Sequence, residues 1–252
     1  MTVARILGTS GGQPTKERSH SAIWCRVAEQ SILFDCGEGT ALKLLQFNLA
    51  RDNLDSIIIS HFHPDHSAGI FMVLQMFHMQ KRSKPLTLYL PERVDNFASV
   101  LSRFYIFPAR LPFQLVLKDI TTLQSDIPEI TPVRNSHLES YREFIVENGL
   151  PNSMLSYSFF IKTENSRLLF TSDIQSIEHL NDYIGKSDII IVDGLHPPVD
   201  DIIKLMSSRS RKVILIHGIS PVLAEILDKK PLDKDVVLSD YVIAEDGYQI
   251  NV

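Results

Sequence analysis

The sequence predicts an α/β domain with two packed layers of sheet covered by helices. Three observations predict it. The chain has 252 residues, 44% of them apolar. Short apolar strands alternate with helices along its whole length. It contains no repeat, low-complexity tract or long linker. A chain of this length and composition can bury one large core, so residues 1–252 are read as one domain. Many strands with helices between them suit two sheets packed together under helices.

Each element has a local reason. Ala4–Leu7, Ser21–Val27, Ile32–Asp35, Ser56–Ser60 and Leu86–Leu90 are short runs rich in β-branched, aromatic or aliphatic residues, and most end near Gly, Asp, Ser or Pro. The same pattern recurs at Gln114–Leu117, Ile130–Arg134, Ser156–Ile161, Arg167–Thr171, Asp188–Val192, Lys212–Ile216 and Tyr248–Val252. Between them, helical periodicity and capping residues predict helices over Thr40–Asn48, Ala68–Gln80, Arg93–Arg103, Ile177–Tyr183, Asp200–Ser207 and Pro221–Leu227. Leu138–Asn152 is largely polar and ends in Gly149-Leu150-Pro151-Asn152, which predicts a loop with at most one short helix.

Composition excludes several classes. The 25 basic and 30 acidic side chains leave a net charge of −5, against a protein that coats nucleic acid through charge alone. Only 2 cysteines and 11 glycines rule out a disulfide-stapled or collagenous fold, and the thiols point to a reducing compartment. The start lacks a signal-like apolar stretch, and no apolar run is long enough to span a membrane. The cytoplasm is the expected location, with no membrane partner.

The strongest chemical signal is Ile57-Ile58-Ile59-Ser60-His61-Phe62-His63-Pro64-Asp65-His66. A buried strand delivers His61, His63, Asp65 and His66 into one loop. Imidazole and carboxylate are the usual nitrogen and oxygen ligands of zinc and similar ions. Four such side chains are too many for one tetrahedral ion that keeps an open position, so the spacing points to two ions. His137, Asp173 and His217 each follow a predicted strand. Each is commonplace alone; together they complete seven ligands, which two open sites need. Asp173 is the natural bridge, because one anion between two dications offsets their repulsion.

This set, in this order, resembles the metallo-β-lactamase superfamily, from Leu7-Gly8-Thr9 to His217. The resemblance implies a four-layer αββα sandwich in a single domain. It implies that His61, His63 and His137 hold a first metal, and that Asp65, His66 and His217 hold a second with Asp173 between them. Zinc is the leading metal, with manganese or iron as alternatives. A narrower resemblance lies in Leu7-Gly8-Thr9-Ser10-Gly11-Gly12 and Asp35-Cys36-Gly37-Glu38-Gly39-Thr40, which look like the ribonuclease Z group of tRNA 3′-processing endonucleases. Here Asp35 can accept hydrogen bonds from the metal loop and orient it. Gly37, Gly39 and Thr40 form a turn into a helix whose N–H groups could bind phosphate or serve the turn alone.

Two features depart from ribonuclease Z. The interval between His137 and Asp173 is short and neither Gly-rich nor basic, so the group's basic arm is missing from it. The histidine that protonates the leaving oxygen has no match at its usual place. Instead Asp193-Gly194-Leu195-His196-Pro197-Pro198 is similar to the cyclic phosphodiesterase of the carbon–phosphorus lyase pathway, whose cysteine-rich structural zinc site is missing here. His196, oriented by Asp193, is the candidate general acid; a turn-capping role is the alternative. Lys81-Arg82-Ser83-Lys84 and Arg209-Ser210-Arg211-Lys212 could contact a nucleic-acid backbone or simply be solvated helix ends. Cys36 is read as packing, not as a ligand.

The expected activity is a two-metal phosphodiester hydrolase, with Asp65 orienting or deprotonating the attacking water. An RNA 3′ end is the leading substrate and a small or cyclic phosphodiester the next. A thioester or lactam hydrolase on the same scaffold and a non-catalytic binding module are the competing classes. The resemblance also implies a homodimer.

Overall fold

The computed structural model describes residues 2–49, 51–207, 211–228 and 241–251. The strands in chain order are β1 (Thr2–Gly8), β2 (Ala22–Val27), β3 (Gln30–Phe34), β4 (Ser56–Ile58), β5 (Leu86–Leu90) and β6 (Leu115–Asp119). They continue with β7 (Ile130–Asn135), β8 (Ser156–Lys162), β9 (Arg167–Phe170), β10 (Ile189–Gly194), β11 (Lys212–Ile219), β12 (Tyr241–Ile243) and β13 (Gln249–Asn251). The α-helices are α1 (Thr40–Gln46), α2 (Pro64–Ser67), α3 (Gly69–Met79), α4 (Val94–Arg103) and α5 (Leu123–Asp126). After them come α6 (Arg142–Glu147), α7 (Asn181–Ile184), α8 (Val199–Met206) and α9 (Pro221–Asp228). Contacts divide the chain into two compact units, residues 2–129 with 245–251, and residues 130–244.

The first unit holds a sheet in the order β13-β1-β2-β3-β4-β5-β6. β1, β2 and β3 are antiparallel neighbours, and β3 to β6 run parallel. Helix α3 buries Ile70, Val73, Leu74 and Phe77, one stripe at helical spacing. Burying side chains of this size is worth about 1.5–3 kcal/mol each. They join Leu33, Ile57 and Leu88 in one core.

The second unit holds a sheet in the order β12-β11-β10-β9-β8-β7. β7, β8 and β9 are antiparallel neighbours; β9 to β12 are parallel. Strand β10 is buried throughout, as expected of a parallel strand covered on both faces. Its crossover to β11 carries α8, which buries Ile202, Leu205 and Met206.

Several boundaries differ from the sequence expectation. β3 stops at Phe34 because Asp35 adopts φ +58, a left-handed turn. β4 stops at Ile58. The metal-loop segment contains the short helix α2, with Pro64 at its first position, where its missing N–H is harmless. Residues 137–141 form a 3-10 turn leading into α6, the one short helix expected within the polar stretch 138–152. The helix expected over 177–183 is a 3-10 turn followed by α7. Strand β12 was not expected.

In the basic cluster at 81–84, Lys81, Ser83 and Lys84 are exposed and Arg82 departs from the expectation. Arg82 is fully buried. Its guanidinium donates to the carbonyls of Leu54, Lys84 and Pro85 at 2.5–2.7 Å. It also lies near the rings of Phe77 and Phe113. Burial lowers its pKa from the usual arginine value, and the charges of Asp52 and Asp55 oppose that shift. Arg82 therefore ties the end of α3 to the core and is closed to a nucleic-acid backbone. In the other cluster, Arg209 and Ser210 lie outside the described residues. Among the described residues, no helix is long and apolar enough to cross a membrane.

Candidate metal centre

In the first unit, the donor loop hangs from the end of β4. Asp35 closes that end: its backbone N–H donates to the carbonyl of Ile58 at 2.8 Å. Its Oδ1 accepts from the Ser60 N–H at 2.8 Å, and its Oδ2 accepts from His66 Nδ1 at 2.7 Å. Ser21 Oγ reaches the same carboxylate at 3.4 Å. Ser60 Oγ lies 3.0 Å from His61 Nδ1. Both imidazoles are thus held through Nδ1, which turns Nε2 toward any ligand.

The donors of this loop are close together. His61 Nε2 is 3.1 Å from His63 Nδ1, and the His61 and His66 rings are 4.2 Å apart. His66 Nε2 is 3.5 Å from Asp65 Oδ2. His61, Asp65 and His66 are buried and His63 is half-buried.

The glycines of the adjoining turn have a steric reason. A Cβ on Gly37 would fall 2.1 Å from the Asp65 carbonyl oxygen and 2.5 Å from His20 Cβ. Gly39 sits at φ +87, a conformation glycine adopts without steric penalty. Some donors of the turn are engaged internally. The Gly37 N–H donates to the Ser21 carbonyl at 2.9 Å, and Thr40 donates to the Gly37 carbonyl from N at 3.3 Å and from Oγ1 at 2.7 Å. These bonds occupy the Gly37 N–H and both donors of Thr40. Cys36 lies inside this turn, and burial pushes its thiol well above the usual range. Among the described residues, Cys36 belongs to none of the clustered donor groups.

In the second unit, the strand order brings donors from distant stretches to one carboxylate. Asp173 Oδ2 lies 3.1 Å from His217 Nε2, 3.5 Å from His137 Nε2 and 3.7 Å from His196 Nδ1. His137, Asp173 and His217 are buried. His196 Nδ1 is 2.8 Å from Asp193 Oδ2, and its own N–H and that of Leu195 donate to Asp193 Oδ1. About a third of the His196 side chain is exposed, with an accessibility of 36%.

His217 does not close its strand as expected. β11 runs on to Ile219, while His217 and Gly218 take φ +63 and +84 and the pairing with β10 shifts register. This irregularity re-aims the imidazole out of the alternation of a flat strand.

Within each unit, the ligand atoms form tight groups. Those of His61 and His63, of Asp65 with His66, of His137 with Asp173, of Asp173 with His217, and of Asp173, Asp193 and His196 each lie within 4.8 Å of one another. Imidazole nitrogen and carboxylate oxygen at this density suit a divalent ion such as zinc, manganese or iron. Ser60 was not read as functional from the sequence. The available signal was a hydroxyl directly before the first histidine of the loop.

The family model described as Anti-Pycsar protein Apyc1 matches residues 4–220. The chain belongs to this family. Among curated relatives, the Ribonuclease Z of Thermococcus kodakarensis is 41% identical over 164 residues, covering 65% of this chain and 48% of that protein. The matches to the first relatives span about a third to a half of those proteins' length. Among solved structures, the metallo-beta-lactamase fold protein YhfI of Bacillus subtilis has a TM-score of 0.69 at 17% identity, covering 98% of this chain and 97% of that one. The short form of human tRNase Z has a TM-score of 0.66 at 18% identity, covering 98% of each. The family member described here thus has the metallo-β-lactamase fold.

Proposed function

We propose that this family member is a metal-dependent phosphodiester hydrolase with a dinuclear centre. The observation that carries the reading is the Asp173 carboxylate, flanked by three imidazoles within 3.7 Å. In this reading His61, His63 and His137 would hold one ion, Asp65, His66 and His217 would hold the other, and Asp173 would serve both. The ions, zinc first and manganese or iron as alternatives, would supply Lewis-acid stabilisation of phosphoryl charge and lower the pKa of water.

The chain's own groups do the rest. Asp65 orients the attacking water and takes its proton. His196, held through Nδ1 by Asp193, presents Nε2 as the acid that protonates the departing oxygen. Asp35 and Ser60 keep the donor loop from rotating.

A small or cyclic phosphodiester is the substrate we favour. Residues 138–172 are taken up by a 3-10 turn, α6, β8 and β9, which supports a site without a long RNA-gripping arm. An RNA 3′ end is the second reading, favoured by the relatives named Ribonuclease Z. The homodimer belongs to this reading, and light scattering on the purified protein tests it.

The deciding experiment offers metal-loaded protein a 2′,3′-cyclic nucleotide, a tRNA precursor with a 3′ trailer, and a thioester. Turnover of the cyclic nucleotide well above the other two is expected. Precursor cleavage alone would move the assignment to RNA, and thioester turnover alone would overturn the phosphodiester class.

A further inference from the structure

The edge of the second sheet carries a line of buried polar side chains that the reaction scheme leaves unused. It crosses four neighbouring strands. Asn135, the last residue of β7, accepts the His137 N–H at 3.1 Å through Oδ1 and donates from Nδ2 to Ser158 Oγ at 3.1 Å. Ser158, in β8, donates to the Thr171 carbonyl at 2.5 Å. Thr171, directly after β9, donates from Oγ1 to the Ser172 carbonyl at 2.7 Å and accepts the Asp193 N–H at 3.1 Å. Asp193, in β10, holds His196.

Three candidate functional side chains thus hang on one lateral chain of hydrogen bonds: His137 at one end, Asp173 beside Ser172 in the middle, His196 at the other. Strand pairing supports the line, with Phe159 opposite Phe170 and Phe170 opposite Ile191.

Ser158 is the least expected member. It is fully buried in β8, between Tyr157 and the run Phe159, Phe160 and Ile161, two residues after a second buried serine, Ser156. Burying a hydroxyl is costly unless it is hydrogen-bonded, and a β-branched apolar residue suits a buried strand better. The Ser158 hydroxyl donates once and accepts once. Thr171 fixes the carbonyl of Ser172, which stands at φ +50, where side-chain-bearing residues are rare. A fully connected buried network of this kind rigidifies the groups it joins.

We propose that Ser158 is a positioning residue, acting with Asn135 and Thr171 to set the spacing of His137, Asp173 and His196, and thereby metal affinity and leaving-group protonation. The proposal rests on the metal-dependent reading above. Partners behind metal ligands typically change metal affinity by about 10–100-fold when removed.

The test uses the full chain, stripped of metal, titrated with Zn²⁺ against a chelating dye, with thermal midpoints measured alongside. Four proteins are compared: wild type, Ser158→Ala, the near-isosteric Thr171→Val, and Ile202→Val as a control for general loosening of the same unit's core. Ser158→Ala and Thr171→Val should each weaken zinc binding about tenfold or more, beyond any loss in Ile202→Val. In the loaded proteins, both should slow diesters with poor leaving groups more than those with good ones. Should Ser158→Ala fail to fold, Thr171→Val carries the same expectation. Zinc affinity and leaving-group dependence unchanged in Thr171→Val would overturn the proposal. A wild-type chain that binds none of zinc, manganese and iron(II) would instead sink the metal-dependent reading, and the positioning role with it.

Discussion

The two units supply metal-type donors in opposite ways. In the unit of residues 2–129, His61, His63, Asp65 and His66 come from one turn of chain, backed by Asp35 and packed against Gly37. In the unit of residues 130–244, His137, Asp173 and His196 come from three separate connections and His217 from within β11, and only the order β11-β10-β9-β8-β7 assembles them. The first set depends on local backbone geometry. The second depends on sheet register and on one carboxylate. Damage to the hub of the second set should therefore spread further than damage to one donor of the first.

That comparison can be broken at graded points. Asp173→Ala should have the largest effect, removing both ions and abolishing turnover; metal analysis showing one ion still tightly bound would make Asp173 an ordinary terminal ligand. His63→Ala should cost one ion and nearly all activity, and full activity would remove His63 from the ligand set. His196→Ala should keep the metal content while slowing a poor leaving group by about 10²–10⁴-fold. Equal slowing of good and poor leaving groups would reject the acid role. Asp35→Asn keeps the shape but weakens the hold on His66 and Ser60, so metal affinity should fall by about 10–100-fold. An unchanged affinity would show that the loop holds itself.

The smallest effect concerns the thiols. Burial raises the Cys25 pKa to about 12 and pushes Cys36 higher still, so both stay protonated and enclosed at neutral pH. Native protein at about pH 8 should resist iodoacetamide that labels the unfolded chain. Rapid labelling of the folded protein would contradict the packing around the Asp35–Thr40 turn.

The same contrast explains what was legible in the sequence. The donor loop could be read because its chemistry is contiguous, and buried strands such as β10 because an unbroken Ile-Ile-Ile-Val run has few other uses. The left-handed turn at His217 could not be read, since neighbouring Gly218 is its only local mark and strand pairing decides it. Arg82 looked like part of a solvated cluster; only the carbonyls of Leu54, Lys84 and Pro85, converging from separate turns, make its burial tolerable. Ser158 and Thr171 read as ordinary strand residues, because a hydroxyl gains a partner across a sheet only once register is set. The short helix α2 has a local mark in the sequence, because Pro64 after His63 is a helix-start signal.

The proposed dinuclear centre makes Asp173 the carboxylate shared by two ions. Metal analysis of the full chain, purified without chelator, tests it most directly when wild type is compared with His63→Ala and Asp173→Ala. The account predicts two divalent ions per wild-type chain, one in His63→Ala and none in Asp173→Ala. A wild-type chain holding no divalent ion, or an Asp173→Ala chain that keeps both, would contradict it.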